Sequence, residues 1–283
     1  GKYDLDRSPA IPLPLDPTIS VCGIRASSAH VYKSAMQPLG FDFITTTGTT
    51  YPVIFKTGDD LRQDQFVVQL IRIMDRILKR EQLDLHLTPY AVLATSNDEG
   101  LVQRIPSTSV AGVLKNYKQI AKFLDDKGAP LDHYIKSCAG YAVISYILGL
   151  GDRHLDNLLL TDDGKLFHID FGYILGRDPK YTISMKLTKE MVEGMGGIDS
   201  RHYQQFKLHC CEAYNLIRQS ASLLLNLFTL MLDSSVPDVV LEGERAVLKL
   251  QEKLRLEMTA EEAEVAFQQL VDDSVSALIP VVI

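Results

Sequence analysis

Two short polar motifs carry the residue types that a site for phosphate chemistry requires. The first is Gly151-Asp152-Arg153-His154-Leu155-Asp156-Asn157, and the second is His168-Ile169-Asp170-Phe171-Gly172. Together they supply an imidazole and a carboxylate that can accept a proton, and amide and carboxylate oxygens that suit a hard divalent cation. Each motif alone is a weak signal, because charged loops are usually solvated and short matches arise by chance. In combination they predict phosphoryl transfer, whose loose transition state is catalysed by positioning and charge neutralisation.

Apolar segments on either side of the first motif must position these residues. Residues 131–148 are apolar with few charges, which predicts a buried helix that ends at Gly149. Residues 158–160 and 165–169 have the pattern of short strands, and Thr161-Asp162-Asp163-Gly164 between them predicts a hairpin turn. The first motif is therefore expected in a loop between the helix and the hairpin, and the second motif at the end of the hairpin.

The remaining sequence predicts a small mixed unit followed by a helical one. Further strands are predicted at 19–24, 42–47, 51–56, 91–96 and 101–105, the last two joined at Asn97-Asp98-Glu99-Gly100. Amphipathic helices are predicted at 61–80, 187–193, 200–218, 220–233, 242–256 and 259–278. We therefore expect an α+β chain with ligands in the cleft between two lobes. Its expected parts are a proline-rich lead-in over 1–18, a small lobe over 19–105 and a larger, mostly helical lobe over 106–283.

Composition limits the class of protein. The chain has 283 residues, of which 46% are hydrophobic and 23% charged, so a wholly disordered chain is excluded. A formal charge of −7 excludes a basic nucleic-acid footprint over the whole chain. The four cysteines have no CxxC spacing, which disfavours a zinc site or disulfide framework and favours a reducing cytosol. Residues 1–6 are polar, unlike a signal peptide, and the longest uncharged apolar stretch, 220–232, is too short to span a bilayer, so we expect a soluble chain.

The two motifs resemble those of a known superfamily. Gly-Asp-Arg-His-x-x-Asn followed by His-Ile-Asp-Phe-Gly is similar to the phosphatidylinositol 3-kinases and 4-kinases, whereas ordinary protein kinases carry His-Arg-Asp. Four other segments resemble this superfamily, the last two its class III 3-kinases in particular: Tyr51-Pro52-Val53-Ile54-Phe55-Lys56, Asp59-Asp60-Leu61-Arg62-Gln63-Asp64, Leu87-Thr88-Pro89-Tyr90 and Met191-Val192-Glu193-Gly194-Met195-Gly196-Gly197. The resemblance covers about residues 12–278 and implies a two-lobed kinase-like fold with ATP bound in the cleft.

The resemblance implies an ATP site with contributions from both lobes. Lys56 should bind an ATP phosphate as a fixed charge on a strand, the alternative being a surface lysine that covers apolar neighbours. Asp64 and Tyr90 resemble a polar pair deep in the pocket, although Asp64 also suits the first turn of a helix by its charge alone. The resemblance also implies a phosphate-covering loop over 25–30, with Ser27 and Ser28. It implies a hinge whose backbone pairs with adenine, formed by Gln103, Arg104 and Ile105. The apolar residues implied around adenine, which also suit a core, are Ile54, Leu159 and Ile169. Class III kinases have an aromatic residue at the Arg104 position, so the pocket is expected to differ there.

Catalytic roles follow from the same resemblance. His154 is the first candidate for general base on the inositol hydroxyl, because a histidine pKa near about 6.5 suits proton acceptance at neutral pH. Asp152 either orients His154 or is itself the proton acceptor, and Arg153 is expected to anchor the loop. Asn157 and Asp170 are expected to hold Mg²⁺ or Mn²⁺, which bridges phosphate oxygens.

The lipid substrate is implied by the segment after Asp170. By resemblance residues 170–190 form the activation loop, in which Arg177, Lys180 and Lys186 should contact the phosphate of a lipid headgroup. The dense basic run of kinases that take polyphosphorylated inositides is not found here. Gly176-Arg177-Asp178-Pro179-Lys180 instead resembles class III, which phosphorylates the 3-hydroxyl of phosphatidylinositol, although residues 181–184 depart from its proline-rich pattern.

Other functions remain open at this point. A phosphatidylinositol 4-kinase and a PI3K-related protein kinase share the motifs, and a nucleotide-binding pseudokinase scaffold is a third alternative. The implied partners are ATP, phosphatidylinositol in membranes and regulatory subunits that bind through domains absent from this chain, with no nucleic acid. The implied location is cytoplasmic, at the surface of endosomal or autophagic membranes.

Overall fold

The structure, a computed structural model, describes residues 9–33, 36–178 and 187–276. It divides into two compact units. The first contains the chain up to Gln69 together with Pro89–Ile105, and the second contains Leu70–Thr88 and the chain from Pro106 onward. A sheet dominates the first unit and helices dominate the second, so the predicted α+β class is confirmed.

The first unit is built on a six-stranded antiparallel sheet in the order β1-β2-β3-β4-β6-β5. Alternation along its strands separates a core face from the opposite face; in β4, for example, Tyr51 and Val53 are buried beside partly buried Phe41 and Phe43. The strands are β1 (Ile11–Leu13), β2 (Asp16–Val31), β3 (Leu39–Thr45), β4 (Thr50–Thr57), β5 (Val92–Ala94) and β6 (Glu99–Gln103). The predicted hairpin between the last two is confirmed.

The prediction of a lead-in over residues 1–18 was wrong where the structure describes that segment. Residues Ile11–Leu13 pair with β2, and β2 itself begins at Asp16. An edge strand tolerates Pro12, since proline lacks only a donor that an edge need not use. Leu13 is fully buried and fixes the strand to the core.

The predicted phosphate-covering loop is a bulge within β2. The register of β2 against β3 shifts between Arg25, which pairs with Asp42, and His30, which pairs with Gly40. The residues between these two pairs are extended but leave the ladder. The prediction of a separate loop was therefore wrong, because register irregularities of this kind depend on the partner strand and leave no local sequence signal.

Helix α1 (Arg62–Arg80) confirms the predicted helix at 61–80 and contributes residues to both units. In the second unit, β7 (Ser107–Ser109), β8 (Leu158–Thr161) and β9 (Leu166–His168) form a three-stranded sheet, and the predicted β8–β9 hairpin is confirmed. Helix α4 (Leu131–Leu148) is almost wholly buried, as predicted, and packs against α6 and β9. It ends at Gly149, whose φ of 59° is the left-handed conformation that closes a helix.

The helices around α4 complete the second unit. Five predicted helices are confirmed with shifted ends: α5 (Lys189–Gly194), α6 (Arg201–Gln219), α7 (Ala221–Leu230), α9 (Arg245–Leu254) and α10 (Ala260–Ser276). Three others were not predicted: α2 (Val110–Tyr117), α3 (Ile120–Lys127) and α8 (Pro237–Glu242). Each of these three is short, so it offers too few turns for a clear helical period.

Candidate active site

The first motif forms a tight loop between α4 and β8. The N–H of His154 donates to the carbonyl of Asp152 at 3.2 Å, and the N–H of Asn157 donates to the carbonyl of His154 at 2.9 Å. Asp152 has a φ of 49°. A left-handed conformation is uncommon for a residue other than glycine, although aspartate tolerates it better than most. Such strain is concentrated at functional sites, where the surrounding structure imposes it.

Arg153 joins this loop to the second motif. Its guanidinium donates to the carbonyl of Gly151 at 2.7 Å, to that of Ile169 at 2.6 Å and to that of Asp170. It also lies 5.5 Å from the centre of the Phe171 ring, in reach of a cation–π contact. The prediction that Arg153 anchors the loop is confirmed, and its planar group reaches three acceptors that a lysine ammonium could not bind in the same geometry.

The two predicted metal ligands lie on backbone segments that hydrogen-bond to each other. The N–H of Ile169, directly before Asp170, donates to the carbonyl of Asn157 at 3.1 Å. Asn157 is nearly buried, and its Nδ2 donates to the carbonyl of Asp152 at 3.0 Å, which leaves Oδ1 on the other side of the amide. Asp170 is exposed and has a φ of 62°.

This donor set fits Mg²⁺ or Mn²⁺. One amide oxygen and one carboxylate are hard ligands, and a small divalent cation usually takes its other ligands from phosphates and water. No group of three or more acidic, histidine or cysteine side chains that could hold a metal is found in ranges 9–33, 36–178 and 187–276. A cation at Asn157 and Asp170 would therefore depend on a bound phosphate for a complete shell.

The imidazole of His154 is exposed, and its Nδ1 accepts a hydrogen bond from the backbone N–H of Asp156 at 3.2 Å. Neutral His154 in this geometry carries its proton on Nε2, so the basic nitrogen is the one already in use. No side-chain hydrogen bond joins Asp152 to His154 in the described part of the chain. The idea that Asp152 orients the ring therefore finds no direct contact, and a general base at His154 requires the ring to turn away from Asp156.

His168 is a residue of the second motif that sequence reasoning did not single out. It is buried, stacks on Tyr141 with ring centres 4.9 Å apart, and places Nδ1 3.3 Å from the hydroxyl of Ser145. Burial, reinforced by the positive charge of Arg153, holds the pKa of His168 well below its usual range. This histidine is thus a neutral packing residue behind the site.

Three of the residues predicted to bind the nucleotide, Lys56, Asp64 and Tyr90, lie in the first unit on or near β4, α1 and β5. Lys56 lies on β4 with Nζ 2.8 Å from Oδ2 of Asp59, and both side chains are about one-third exposed, at 30% and 37%. It is therefore an ion-paired lysine. Asp64 lies in the first turn of α1, as both of its interpretations require, and Tyr90 is nearly buried.

The two predicted phosphate-binding serines differ. Ser27 is exposed in the bulge of β2. The hydroxyl of Ser28 donates to the carbonyl of Arg25 at 2.7 Å and accepts from the N–H of Asp42 at 2.8 Å. Because the only hydroxyl proton of Ser28 is used within the bulge, Ser28 holds the shape of this segment. Ser27 is therefore the better candidate of the two for donating a hydrogen bond to a phosphate.

The predicted hinge is tied into the sheet. The N–H of Gln103 donates to the carbonyl of Ala91 at 2.8 Å, and that of Arg104 donates to the carbonyl of Pro52 at 3.0 Å. These two N–H groups are therefore committed and cannot pair with adenine. Arg104, which stands where an aromatic residue was expected, has Nη2 2.9 Å from Oδ1 of Asp42. Sequence reasoning missed Asp42, since no local pattern distinguishes it.

The three apolar residues predicted around adenine are all only partly buried. Ile54 alternates with the core residue Val53 along β4, so it lies on the opposite face of the sheet. Leu159 likewise lies between Leu158 and Leu160 of β8, which are both fully buried. Ile169, just after β9, is also partly buried. This exposure agrees with ligand contact better than with a pure core role.

Of the three predicted headgroup residues, only Arg177 lies in the described part of the chain. Its Nε is 3.1 Å from Oδ1 of Asp238, and its Nη1 is 4.0 Å from Oε1 of Glu242. Lys180 and Lys186 lie outside the described residues. Arg177 therefore has acidic partners of its own and would have to leave them to reach a lipid.

A comparison with protein families identifies the class. The family model of phosphatidylinositol 3- and 4-kinases matches residues 50–127 and 116–241. Both motifs and β4, with Lys56, fall within this span. The chain belongs to the phosphatidylinositol 3- and 4-kinase family.

Individual relatives are more specific. The chain is 54% identical over 279 residues to the root isoform of phosphatidylinositol 3-kinase from Glycine max, and 55% identical over 280 residues to phosphatidylinositol 3-kinase VPS34 from Arabidopsis thaliana. Each match covers 94% of this chain and 34% of the relative. It is 49% identical over 298 residues to phosphatidylinositol 3-kinase pik3 from Schizosaccharomyces pombe, a match that covers 100% of this chain and 37% of the relative. The chain thus spans about a third of the length of these relatives. Within the described ranges, no helix combines the length and the apolar character needed to cross a bilayer.

Proposed function

We propose that this chain is the catalytic part of a lipid kinase that transfers the γ-phosphate of ATP to the 3-hydroxyl of phosphatidylinositol. The observation that carries the proposal is the way Arg153 fixes the first motif to the carbonyls of Ile169 and Asp170. It holds a proton acceptor and two oxygen ligands on adjoining backbone segments, as phosphoryl transfer requires. The names of the relatives support the lipid and the position of the hydroxyl.

The first unit would bind the nucleotide. Lys56 holds a phosphate through its ammonium, with Asp59 fixing the side chain in the absence of ligand. The exposed bulge of β2 offers Ser27 to phosphate oxygens, and Ile54 offers an apolar face to adenine. Gln103 and Arg104 give shape to the hinge through their sheet hydrogen bonds.

The second unit would carry out the transfer. Asn157 and Asp170 would hold Mg²⁺ or Mn²⁺, and a cation bound there would supply charge neutralisation for the transferring phosphoryl group. His154 turns its ring away from Asp156, accepts the proton of the inositol 3-hydroxyl on Nδ1, and leaves the oxygen to attack the γ-phosphorus. The bond from that phosphorus to the oxygen shared with the β-phosphate breaks, and ADP leaves. Asp152 is the alternative proton acceptor.

Substrate choice would reside in the activation loop. Gly176-Arg177-Asp178-Pro179-Lys180 lacks a dense basic run, which suits a headgroup with a single phosphate. Lys180 and Lys186 are the proposed headgroup contacts. By the family resemblance we propose that the working enzyme acts at the surface of endosomal or autophagic membranes, with regulatory subunits bound to parts of the protein outside this chain. The name VPS34 of several relatives agrees with a role in vesicle trafficking.

Product analysis tests this proposal. The protein is incubated with labelled ATP and Mn²⁺ or Mg²⁺, together with phosphatidylinositol vesicles or with a serine-containing peptide, and the deacylated lipid product is separated by position of the phosphate. We expect phosphatidylinositol 3-phosphate and no labelled peptide. A 4-phosphate product would instead indicate a 4-kinase, a labelled peptide would indicate a protein kinase, and nucleotide binding without transfer would indicate a pseudokinase.

A further inference from the structure

The segment that follows the second motif, residues 174–177, is held on one side by the end of α4. The N–H of Leu175 donates to the carbonyl of Leu148 at 2.8 Å, and the N–H of Gly176 donates to the carbonyl of Gly149 at 2.9 Å. A side-chain carbon at Gly149 would lie 2.5 Å from the nitrogen of Gly176, so glycine is needed for this approach. These contacts join the segment to the helix that leads into the catalytic loop.

Asp238, at the start of α8, holds the other side. Its carboxylate is nearly buried and serves two partners within the segment. Oδ2 accepts a hydrogen bond from the N–H of Ile174 at 2.9 Å, and Oδ1 lies 3.1 Å from Nε of Arg177. Because one carboxylate contacts both the start and the end of the segment, it fixes the direction of the segment as well as its position.

Lys249 of α9 contacts the segment on the same side as Asp238. Its Nζ donates to the carbonyl of Leu175 at 3.0 Å and lies 2.8 Å from Oε1 of Glu242. A cavity of about 260 Å³ borders this contact, and Leu175, Gly176 and Lys249 all line it. The side chains of Ile174 and Leu175 are themselves buried, so the polar contacts of Asp238 and Lys249 act on the backbone of the segment in addition to this packing.

We propose that Asp238 and Lys249, supported by Glu242, are positioning residues that fix residues 174–177 and thereby the start of the lipid-reading activation loop. This inference rests on the proposed function. It gives Arg177 the role of an anchor to Asp238 in place of a headgroup contact. It also makes the α8–α9 segment a point from which lipid transfer can be altered without a change in nucleotide binding.

Substitutions of Lys249 separate positioning from simple stabilisation. Lys249→Met removes the donor at similar length, Lys249→Arg restores a donor, and Lys253→Met is the matched control. Lys253 lies on the same helix and lines the same cavity, but its ammonium lies 4.6 Å from the centre of the Tyr146 ring. The readouts are kcat on phosphatidylinositol vesicles, the KM for ATP and hydrogen exchange of the backbone amides at 174–178.

We expect Lys249→Met to lower kcat about tenfold, with the KM for ATP within about twofold of wild type, because a misplaced lipid site slows transfer while the nucleotide site is unchanged. Amide exchange at 174–178 should accelerate in this variant. Lys249→Arg should restore both readouts, and Lys253→Met should match wild type in both.

A second variant tests the Asp238 contact directly. Asp238→Asn keeps an acceptor for the N–H of Ile174 but loses the ion pair with Arg177. Its effect on kcat should overlap with that of Arg177→Met in a double-mutant cycle, so that the double variant is no worse than the poorer single one. Wild-type kcat and wild-type exchange in both Lys249→Met and Asp238→Asn would overturn the inference, as would equal losses in lipid transfer and ATP binding. If wild type makes no phosphatidylinositol 3-phosphate, the proposed function fails, and amide exchange alone still decides whether these residues fix the segment.

Discussion

The sharpest consequence of the site geometry concerns Arg153→Met. This change keeps the length of the side chain but removes the guanidinium that donates to the carbonyls of Gly151, Ile169 and Asp170. It also removes the charge over the Phe171 ring. The catalytic loop and the segment with Asp170 would then be joined by backbone hydrogen bonds, from the N–H of Ile169 to the carbonyl of Asn157 at 3.1 Å and from the N–H of Gly151 to the carbonyl of Tyr173 at 2.9 Å.

The size of the effect follows from these contacts. Hydrogen bonds to a charged group contribute about 1.5–3 kcal/mol each when buried, and an exposed cation–π contact adds about 0.5–1 kcal/mol. Because Arg153 is partly exposed and water replaces some of its bonds, we take a net loss of about 3 kcal/mol for the whole group. That loss equals about two powers of ten in the equilibrium that orders the two segments. Misplacement of reacting groups by about 1 Å costs a similar factor in rate.

We therefore expect Arg153→Met to lower kcat on phosphatidylinositol by about 10²-fold, while the protein remains folded. Arg153→Lys is the informative companion, since an ammonium keeps the charge but cannot serve three acceptors at once. Turnover is measured on vesicles, and folding by urea denaturation. An Arg153→Lys enzyme as active as wild type would refute the argument that the planar group organises the site, and so would an Arg153→Met enzyme within about threefold.

Three further predictions concern single side chains. His154→Ala should lower kcat by about 10²- to 10⁴-fold with little change in the KM for ATP, whereas a larger loss in Asp152→Ala would make Asp152 the proton acceptor; His154→Ala within about threefold of wild type would exclude His154 as the base. Arg104→Phe, which installs the expected aromatic residue, should lower the free energy of unfolding by about 1–3 kcal/mol in urea denaturation, because the side chain of Asp42 is only 13% exposed and loses its partner. Adding Asp42→Asn to this variant should recover part of the lost stability, and unchanged stability in Arg104→Phe would show that the ion pair is not stabilising. Burial, with smaller contributions from neighbouring cations, lowers the pKa of His86 in the folded protein, so the stability contributed by neutral His86 is present above the unfolded pKa of about 6.5 and is lost as pH falls below it. The urea midpoint of His86→Gln should therefore depend less on pH between about 7 and about 5 than the midpoint of wild type, and an equal pH dependence of the two midpoints would contradict this.

Helix α4 and the two hairpins were predictable from sequence because their signals are local. A long apolar run with few charges requires burial, and a glycine after it marks the end of the helix. The catalytic loop was also predictable, since the residue types within it are those that phosphoryl transfer requires. The anchoring role of Arg153 was expected from the family resemblance, and its three carbonyl acceptors bear it out.

The features that were missed depend on partners far away in sequence. Arg104 and Asp42 are 62 residues apart, and Ile174 and Asp238 are 64 residues apart, so no local pattern joins either pair. The same reason applies to Ser28, whose hydroxyl bonds to Asp42 and so shapes the bulge of β2. The lead-in prediction failed because prolines were taken as a sign of irregular chain, whereas an edge strand accommodates them.

The most direct test of the central claim compares wild type with Asp170→Asn and Asp162→Asn on phosphatidylinositol vesicles. Asp162 is the matched control, since its exposed carboxylate lies in the β8–β9 turn and pairs with Lys127. We expect wild type and Asp162→Asn to form phosphatidylinositol 3-phosphate at equal rates. Asp170→Asn should stay folded and form almost none, because the loss of a cation ligand removes several kcal/mol of transition-state stabilisation. Wild-type production of the 3-phosphate by Asp170→Asn would contradict the site described here.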